Sequence, residues 1–299
     1  MKSNEFYTFW REAVLIKGSV TPIVIFNVFV FGLIAAFICA VDHYIEDVFQ
    51  VNLGLEVGPH EIAGAALGLL LILRTNAGYD RWWEGRTLWG GIVNQSRNLA
   101  LESLAYGPKD KVWSTELITW VKAFPYAAKS SLRSEKELGK FEQLLGISEA
   151  KKLVASSHMP FYVSLKIAGL LRLALDKGTL NLFAFAQMER ERSLLIDHIG
   201  ACERILKTPL PIVYSVKIRR FVAIFLITLP FALLHQMETD WLVPLVIMLV
   251  SYPLVSLDQI GIELQNPFYK SSLNHLPLDE IAESIEKTLQ EMLASSEKE

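Results

Sequence analysis

Apolar residues along the chain gather into four runs, at 20–41, 62–73, 221–234 and 241–257. The first has 22 residues, roughly 33 Å of helix against a bilayer core of about 30 Å. The second and third uncharged stretches are shorter, so spans built on them include flanking polar residues. That suits helices facing protein or an aqueous pore better than helices facing lipid. All 29 Lys and Arg residues lie outside two windows, 18–73 and 221–269, that contain the four runs. The connections inside the windows, 42–59 and 235–240, carry Asp42, Glu46, Asp47, Glu56, Glu238 and Asp240 and no cation. Residues 81–220 hold 22 basic residues, and the N-terminal arm adds Lys2, Arg11 and Lys17. Cytoplasmic segments of membrane proteins are enriched in Lys and Arg. The pattern therefore predicts four transmembrane helices, with both termini and the long middle region cytoplasmic and two short loops outside.

The middle region reads as helices separated by turn signals. Gly107-Pro108 breaks the chain, and 112–122 and 135–145 then carry helical apolar spacing. Met159-Pro160 breaks it again before an amphipathic 161–175. Asp176-Lys177-Gly178 stops that helix, and 182–207 follows. Thr208-Pro-Leu-Pro211 forces an extended or kinked approach to the third span. A final amphipathic helix is expected over 278–293, with 294–299 frayed. Period-two alternation and internal repeats are absent, so the expected class is an all-α membrane protein. Its segments are an N-terminal arm (1–19), the first two spans (20–80), a cytoplasmic helical region (81–215), the last two spans (216–257) and a cytoplasmic C-terminal segment (258–299).

Composition agrees: 52% of residues are hydrophobic, 20% are charged, and the mean hydropathy is +0.31. A soluble chain is nearer a quarter charged. The net charge of −3 says little about partners, and no nucleic-acid partner is expected. Residues 1–18 are polar and lack a cleavage-site pattern, so no cleavable signal is expected. The two cysteines, Cys39 and Cys202, read as packed thiols. The six histidines show no pair at metal-ligand spacing, so neither a metal nor another cofactor is expected. With no phosphate loop and no nucleophile signature, an enzyme is not expected either. A transporter should show inverted repeats or broken helices. A transporter or a structural membrane scaffold without channel activity stands as the alternative function.

The most informative stretch follows the second apolar run without a break: Arg74-Thr-Asn-Ala-Gly-Tyr-Asp-Arg-Trp-Trp-Glu-Gly-Arg-Thr-Leu-Trp89. Charge and tryptophan continuing an apolar helix mark the exit of that helix from lipid. Ile62, Ala66, Leu69, Leu73, Asn76 and Asp80 alternate +4 and +3 and share one face of it. Gly64 and Gly68 lie opposite, at a spacing that lets another helix approach closely. Such a stripe is either a packing seam inside a bundle or the wall of a pore, where rings of aliphatic side chains gate by dewetting. Periodicity does not choose between them.

The run from Asn76 through Tyr79, Asp80, Arg81, Trp82, Trp83, Glu84 and Arg86 to Trp89 resembles the signature of the bestrophin ion channels, specifically their bacterial homologues. The likeness extends to Lys17-Gly-Ser-Val20 before the first span and Cys202-Glu-Arg-x-x-x-Thr-Pro-x-Pro211 before the third. It ends with Glu263-Leu-Gln-Asn266-Pro267-Phe268 after the fourth. The resemblance implies a homopentamer in the bacterial plasma (inner) membrane, passing monovalent ions through a central hydrophobic neck lined by the second helix. Counting back from Arg81, the family's neck positions fall on Leu73, Leu69 and Ala65. The stripe instead places Ala66 at the top, with Ile62 one turn above.

The family's cytoplasmic exit constriction maps to the turn 178–183, giving Phe183 first, then Leu182 and Leu180. Arg81, Glu84 and Arg86 read as structural charges that satisfy one another. Trp82, Trp83 and Trp89 read as headgroup anchors and packing groups. Asp80 either sees permeant ions or pairs with an arginine. Animal members hold calcium with acids just after Asn-Pro-Phe. Here 269–278 carries Lys270 and no carboxylate before Asp279, too few oxygens for that ion, so calcium gating is not expected. The family implies chloride and other anions, with small cations possible for a bacterial member. Glu56 and Glu61 at the outer mouth would favour cations.

Overall fold

The computed structural model describes residues 9–234, 236–237 and 239–296. Expectations resting on Lys2, Glu238 and the tail 297–299 lie outside them. Among the described residues there is no strand. The helices are α1 (Thr21–Phe49), α2 (Gly58–Tyr106), α3 (Lys111–Arg133), α4 (Gly139–Ala155), α5 (Met159–Asp176), α6 (Leu182–Lys207), α7 (Ile212–Leu233), α8 (Val243–Glu263) and α9 (Leu278–Ser296). A short 3-10 turn, Asp240–Leu242, leads into α8.

Local chemistry sets the boundaries. Asp110 and Asn181 each accept a backbone N–H with the side chain, capping α3 at Val112 (2.9 Å) and α6 at Ala184 (2.9 Å). Gly178, at φ +69°, supplies the left-handed residue that turns the chain after α5. Pro211, at ψ 127°, makes the extended approach to α7 that Pro-x-Pro requires. Two boundaries differ from expectation. Helix α1 runs on to Phe49, because Asp42 is buried on it and accepts the Leu53 amide at 2.8 Å, folding the connection back. Met159-Pro160 opens α5 rather than breaking it: His158 caps the helix, and proline is tolerated in a first turn. The C-terminal helix also extends beyond 293 to Ser296.

The chain divides into two compact units, 1–80 with 210–265 and 81–209 with 266–299. In the first, α1 packs on α7 and α8 around Ala35, Leu67, Leu71, Val222, Leu226 and Ile247. Among the described residues, three helical segments are long and apolar enough to cross a membrane: Thr21–Phe49, Gly58–Tyr106 and Asp240–Glu263. The remaining expected span falls on α7, whose first half carries Lys217, Arg219 and Arg220, leaving a shorter uncharged run.

In the second unit, α3 is central and buried over most of its length from Leu117 onward, touching α4, α5, α6 and α9. Helix α9 lays Leu278, Ala282, Ile285, Leu289 and Leu293 against it. Polar links flank that seam, from Tyr126 Oη to Glu286 at 2.5 Å and from Lys140 Nζ to Glu286 at 2.8 Å.

Candidate functional site

Helix α2 has two faces within the first unit. Leu67, Leu71, Arg74 and Gly78 are buried. The Phe225 ring of α7 would lie 3.2 Å from a Cβ on Gly64, and the Gly261 carbonyl of α8 would lie 2.9 Å from one on Gly78. Close approach therefore occurs at Gly64 and Gly78; Gly68 has nothing within 4 Å. Arg74, only 1% exposed, pairs with Asp258 of α8, whose other oxygen accepts Arg219 Nε at 2.9 Å. A charge buried on a membrane helix needs such a partner, and it lies on the face away from the stripe.

The opposite face is bare. Ile62 (75%), Leu69 (59%) and Leu73 (51%) are exposed, as are Ala65, Ala66, Asn76 and Asp80. The stripe is thus not a seam inside one subunit. Ala65 and Ala66 are both uncovered, so exposure does not separate the two registers. Ile72, at 53%, also lies on this face and falls outside the +4/+3 spacing. Asp80 has no ion-pair partner among the described residues. Glu56 and Glu61 are exposed.

Further along α2, the motif ties the second unit together. The terminal nitrogens of Arg81 donate to the carbonyls of Ile205 and Thr208 at the end of α6. Cations near a helix C-terminus meet the carbonyls that lack helical partners. Glu84 pairs with Arg204 of α6 at 2.7 Å, and Arg86 is exposed. Trp82 donates its indole N–H to the Asn274 carbonyl at 2.7 Å. Trp89 is fully buried in the core, so it is a packing residue and not a headgroup anchor. Trp83 and Tyr79 are exposed.

A Cβ on Gly85 would come within 2.9 Å of Pro267 and 3.3 Å of the Phe268 ring. Asn266 Oδ1 accepts the Phe268 N–H at 3.1 Å, making the tight turn that buries that ring. Segments far apart in the sequence, at 81–86, 204–208 and 267–268, thus meet along neighbouring turns of α2. No periodicity could have shown this; only the glycine in Glu84-Gly85-Arg86 signalled a close approach.

At the candidate exit, Phe183 (88%) and Leu182 (64%) stand exposed on the first turn of α6. Leu180 is 2% exposed and packed in the core, because its position precedes the cap and points into the body. Leu180 is therefore a core residue, unlike the exposed Phe183 and Leu182. After Asn-Pro-Phe, Asp279 is held by Lys129 and Arg133, each at 2.7 Å, while Arg133 Nε also donates to the Phe268 carbonyl. Burial works against its charge, but the two cations prevail and depress its pKa to about 2. Cys202 is free and fully buried, and burial pushes its thiol up to about 12.

Helices of membrane-spanning length joined to a helical body define an all-α membrane protein. The chain belongs to the bestrophin family: residues 1–291 match the model described as Bacterial/Fungal Bestrophin protein. It is 34% identical over 241 residues to the voltage-dependent anion channel-forming protein alr2987 of Nostoc, covering 79% of this chain and 77% of that one. With the corresponding Synechocystis protein sll1024 it shares 29% over 292 residues, covering 95% and 92%. The crystal structure of a bacterial bestrophin homologue from Klebsiella pneumoniae superposes with a TM-score of 0.82 at 26% identity, covering 91% of this chain and 98% of that one.

Proposed function

We propose that the protein is the subunit of an ion channel, a homopentamer that passes monovalent ions along a central pore lined by α2. The observation that carries this reading is the uncovered stripe Ile62, Ala65 or Ala66, Leu69, Leu73 running down to uncovered Asn76 and Asp80. An uncovered apolar stripe that runs down to an uncovered amide and carboxylate suits a pore, where the ion is rehydrated below the neck. Family membership and the channel names of the relatives support the same reading.

In this reading α1, α2, α7 and α8 are the four spans, with Lys217, Arg219 and Arg220 at the cytoplasmic boundary of α7. Leu69 and Leu73 form the neck, and rings of leucine exclude water when narrow. Phe183, with Leu182 beside it, forms the cytoplasmic exit constriction. The protein is expected to float with liposomes and to carry sodium or chloride flux once reconstituted. Leu69→Ala and Leu73→Ala widen the neck by one branched side chain per subunit and should raise open probability in planar bilayers. Unchanged open probability would remove both leucines from the gate.

Calcium is not the gating signal in this reading. The first carboxylate after Asn-Pro-Phe, Asp279, already neutralises Lys129 and Arg133. Currents are expected to be the same in micromolar calcium and in chelator; a calcium-dependent current would refute this part.

A further inference from the structure

A cavity of about 320 Å³ opens among α1, α7 and α8 of the first unit, away from the exposed stripe of α2. Its lining falls into two tiers. Asn27, Arg219, Asp258 and Gln259 form the polar tier; Phe31, Val222, Ala223 and Val255 form the apolar one. The tiers are ordered along the helices. Asn27 is six residues from the start of α1, Arg219 seven from the start of α7, and Asp258 five from the end of α8. At 1.5 Å per residue these groups lie about 8–11 Å from those helix ends, each on the same side of its helix's apolar lining. Each apolar residue lies three or four positions further into its helix, about 5–6 Å deeper. Helices α1 and α7 run one way and α8 the other, so three independent helices place polar above apolar in the same sense.

The charges at the polar tier do not cancel. Asp258 is engaged by two guanidiniums, Arg74 behind and Arg219 in front. Arg219 uses only Nε for it, and its two terminal nitrogens have no hydrogen-bond partner among the described residues. Asn27 is exposed and likewise unpartnered, while the Gln259 amide already donates to Glu263 at 2.9 Å. One surplus positive charge with free planar N–H donors, backed by an amide, recognises a phosphate oxyanion. The slot beneath it takes a hydrocarbon chain.

The geometry points to a binding site for one anionic phospholipid per subunit, its phosphate on Arg219 and Asn27 and an acyl chain between Phe31, Val222, Ala223 and Val255. The inference rests on the reading that α1, α7 and α8 cross the bilayer.

Native mass spectrometry of the purified full-length protein, titrated with palmitoyl-oleoyl phosphatidylglycerol or the matching phosphatidylcholine, tests it. Retention of phosphatidylglycerol over phosphatidylcholine is expected. Arg219→Gln should weaken that retention about five- to tenfold, the effect of one basic contact to an anionic headgroup. Because that variant also removes a partner of Asp258, Ala223→Phe serves as the second arm: it fills the apolar tier, leaves every charge, and should weaken retention as well. Lys217→Gln and Arg220→Gln remove the same charge outside the cavity and should not. Equal losses in the three charge variants, with Ala223→Phe unchanged, would replace the site by diffuse attraction. Displacement of the lipid by excess inorganic phosphate would replace it by a free-anion site. Absence of any headgroup preference in a protein that floats with liposomes overturns this inference alone; failure to float overturns the membrane reading beneath it.

Discussion

Gly85 has no room for a methyl group. A Cβ there would press on Pro267 at 2.9 Å and on the edge of the buried Phe268 ring at 3.3 Å. Proline cannot swing away, and Phe268 is held through its own amide by Asn266 and through its carbonyl by Arg133. Gly85→Ala should therefore cost about 1–3 kcal/mol, the usual penalty of forcing a methyl into a packed contact. A thermal unfolding scan of detergent-solubilised protein should show a lower midpoint, and Thr87→Ala, on the exposed side of the same turn, should leave it unchanged. An unaltered midpoint for Gly85→Ala would mean that the Asn-Pro-Phe turn yields easily and does not lock the second unit.

At the scale of elements, α2 carries three jobs in sequence along its length. It presents a bare apolar stripe, buries an arginine behind that stripe, and then caps α6 and receives Phe268. The stripe was legible because helical periodicity is a local property of the sequence. The buried Arg74 was not: nothing local separates it from a cation at the membrane exit, and its partner Asp258 lies 184 positions away in the chain. The exit constriction shows the same limit. Phe183 and Leu180 are three residues apart in sequence, yet the Asn181 cap turns the chain between them and buries only Leu180. The reach of Arg81 to the end of α6 is again tertiary.

The Arg74–Asp258–Arg219 cluster has a consequence for the helices it joins. Replacing Asp258 by Asn keeps the shape but leaves Arg74 with an uncompensated buried charge. Breaking a buried pair in this way costs about 3–5 kcal/mol. The cost falls on the contact between α2 and α8, where Gly78 and Gly261 let the backbones approach. Asp258→Asn should shift the protein toward aggregates in fluorescence-detected size-exclusion chromatography. Arg74→Met combined with Asp258→Leu removes both charges of the pair and should recover much of the loss. A single Asp258→Asn variant that elutes as wild type would show that water or lipid already reaches Arg74.

For the whole molecule, the sign of the permeant ion depends on which charges face the pore. The exposed face of α2 in the first unit carries Glu61 at one end and Asp80 at the other, and no cation. The one basic residue of that stretch, Arg74, is turned away and neutralised. In a pentamer each carboxylate becomes a ring of five. Such a ring acts over a Debye length of about 8 Å at physiological salt. The opposing influence is the positive end of α2 at the outer mouth, about half a charge per helix, which five full charges outweigh. If both rings line the lumen, reversal potentials in asymmetric NaCl should lie toward the sodium equilibrium potential. Glu61→Gln with Asp80→Asn should then move them toward chloride. A wild-type reversal potential already at the chloride value, and indifferent to that double substitution, would put both carboxylates off the ion path. Selectivity would then rest on the uncharged neck and the helix dipoles, in line with the anion channels named among the relatives.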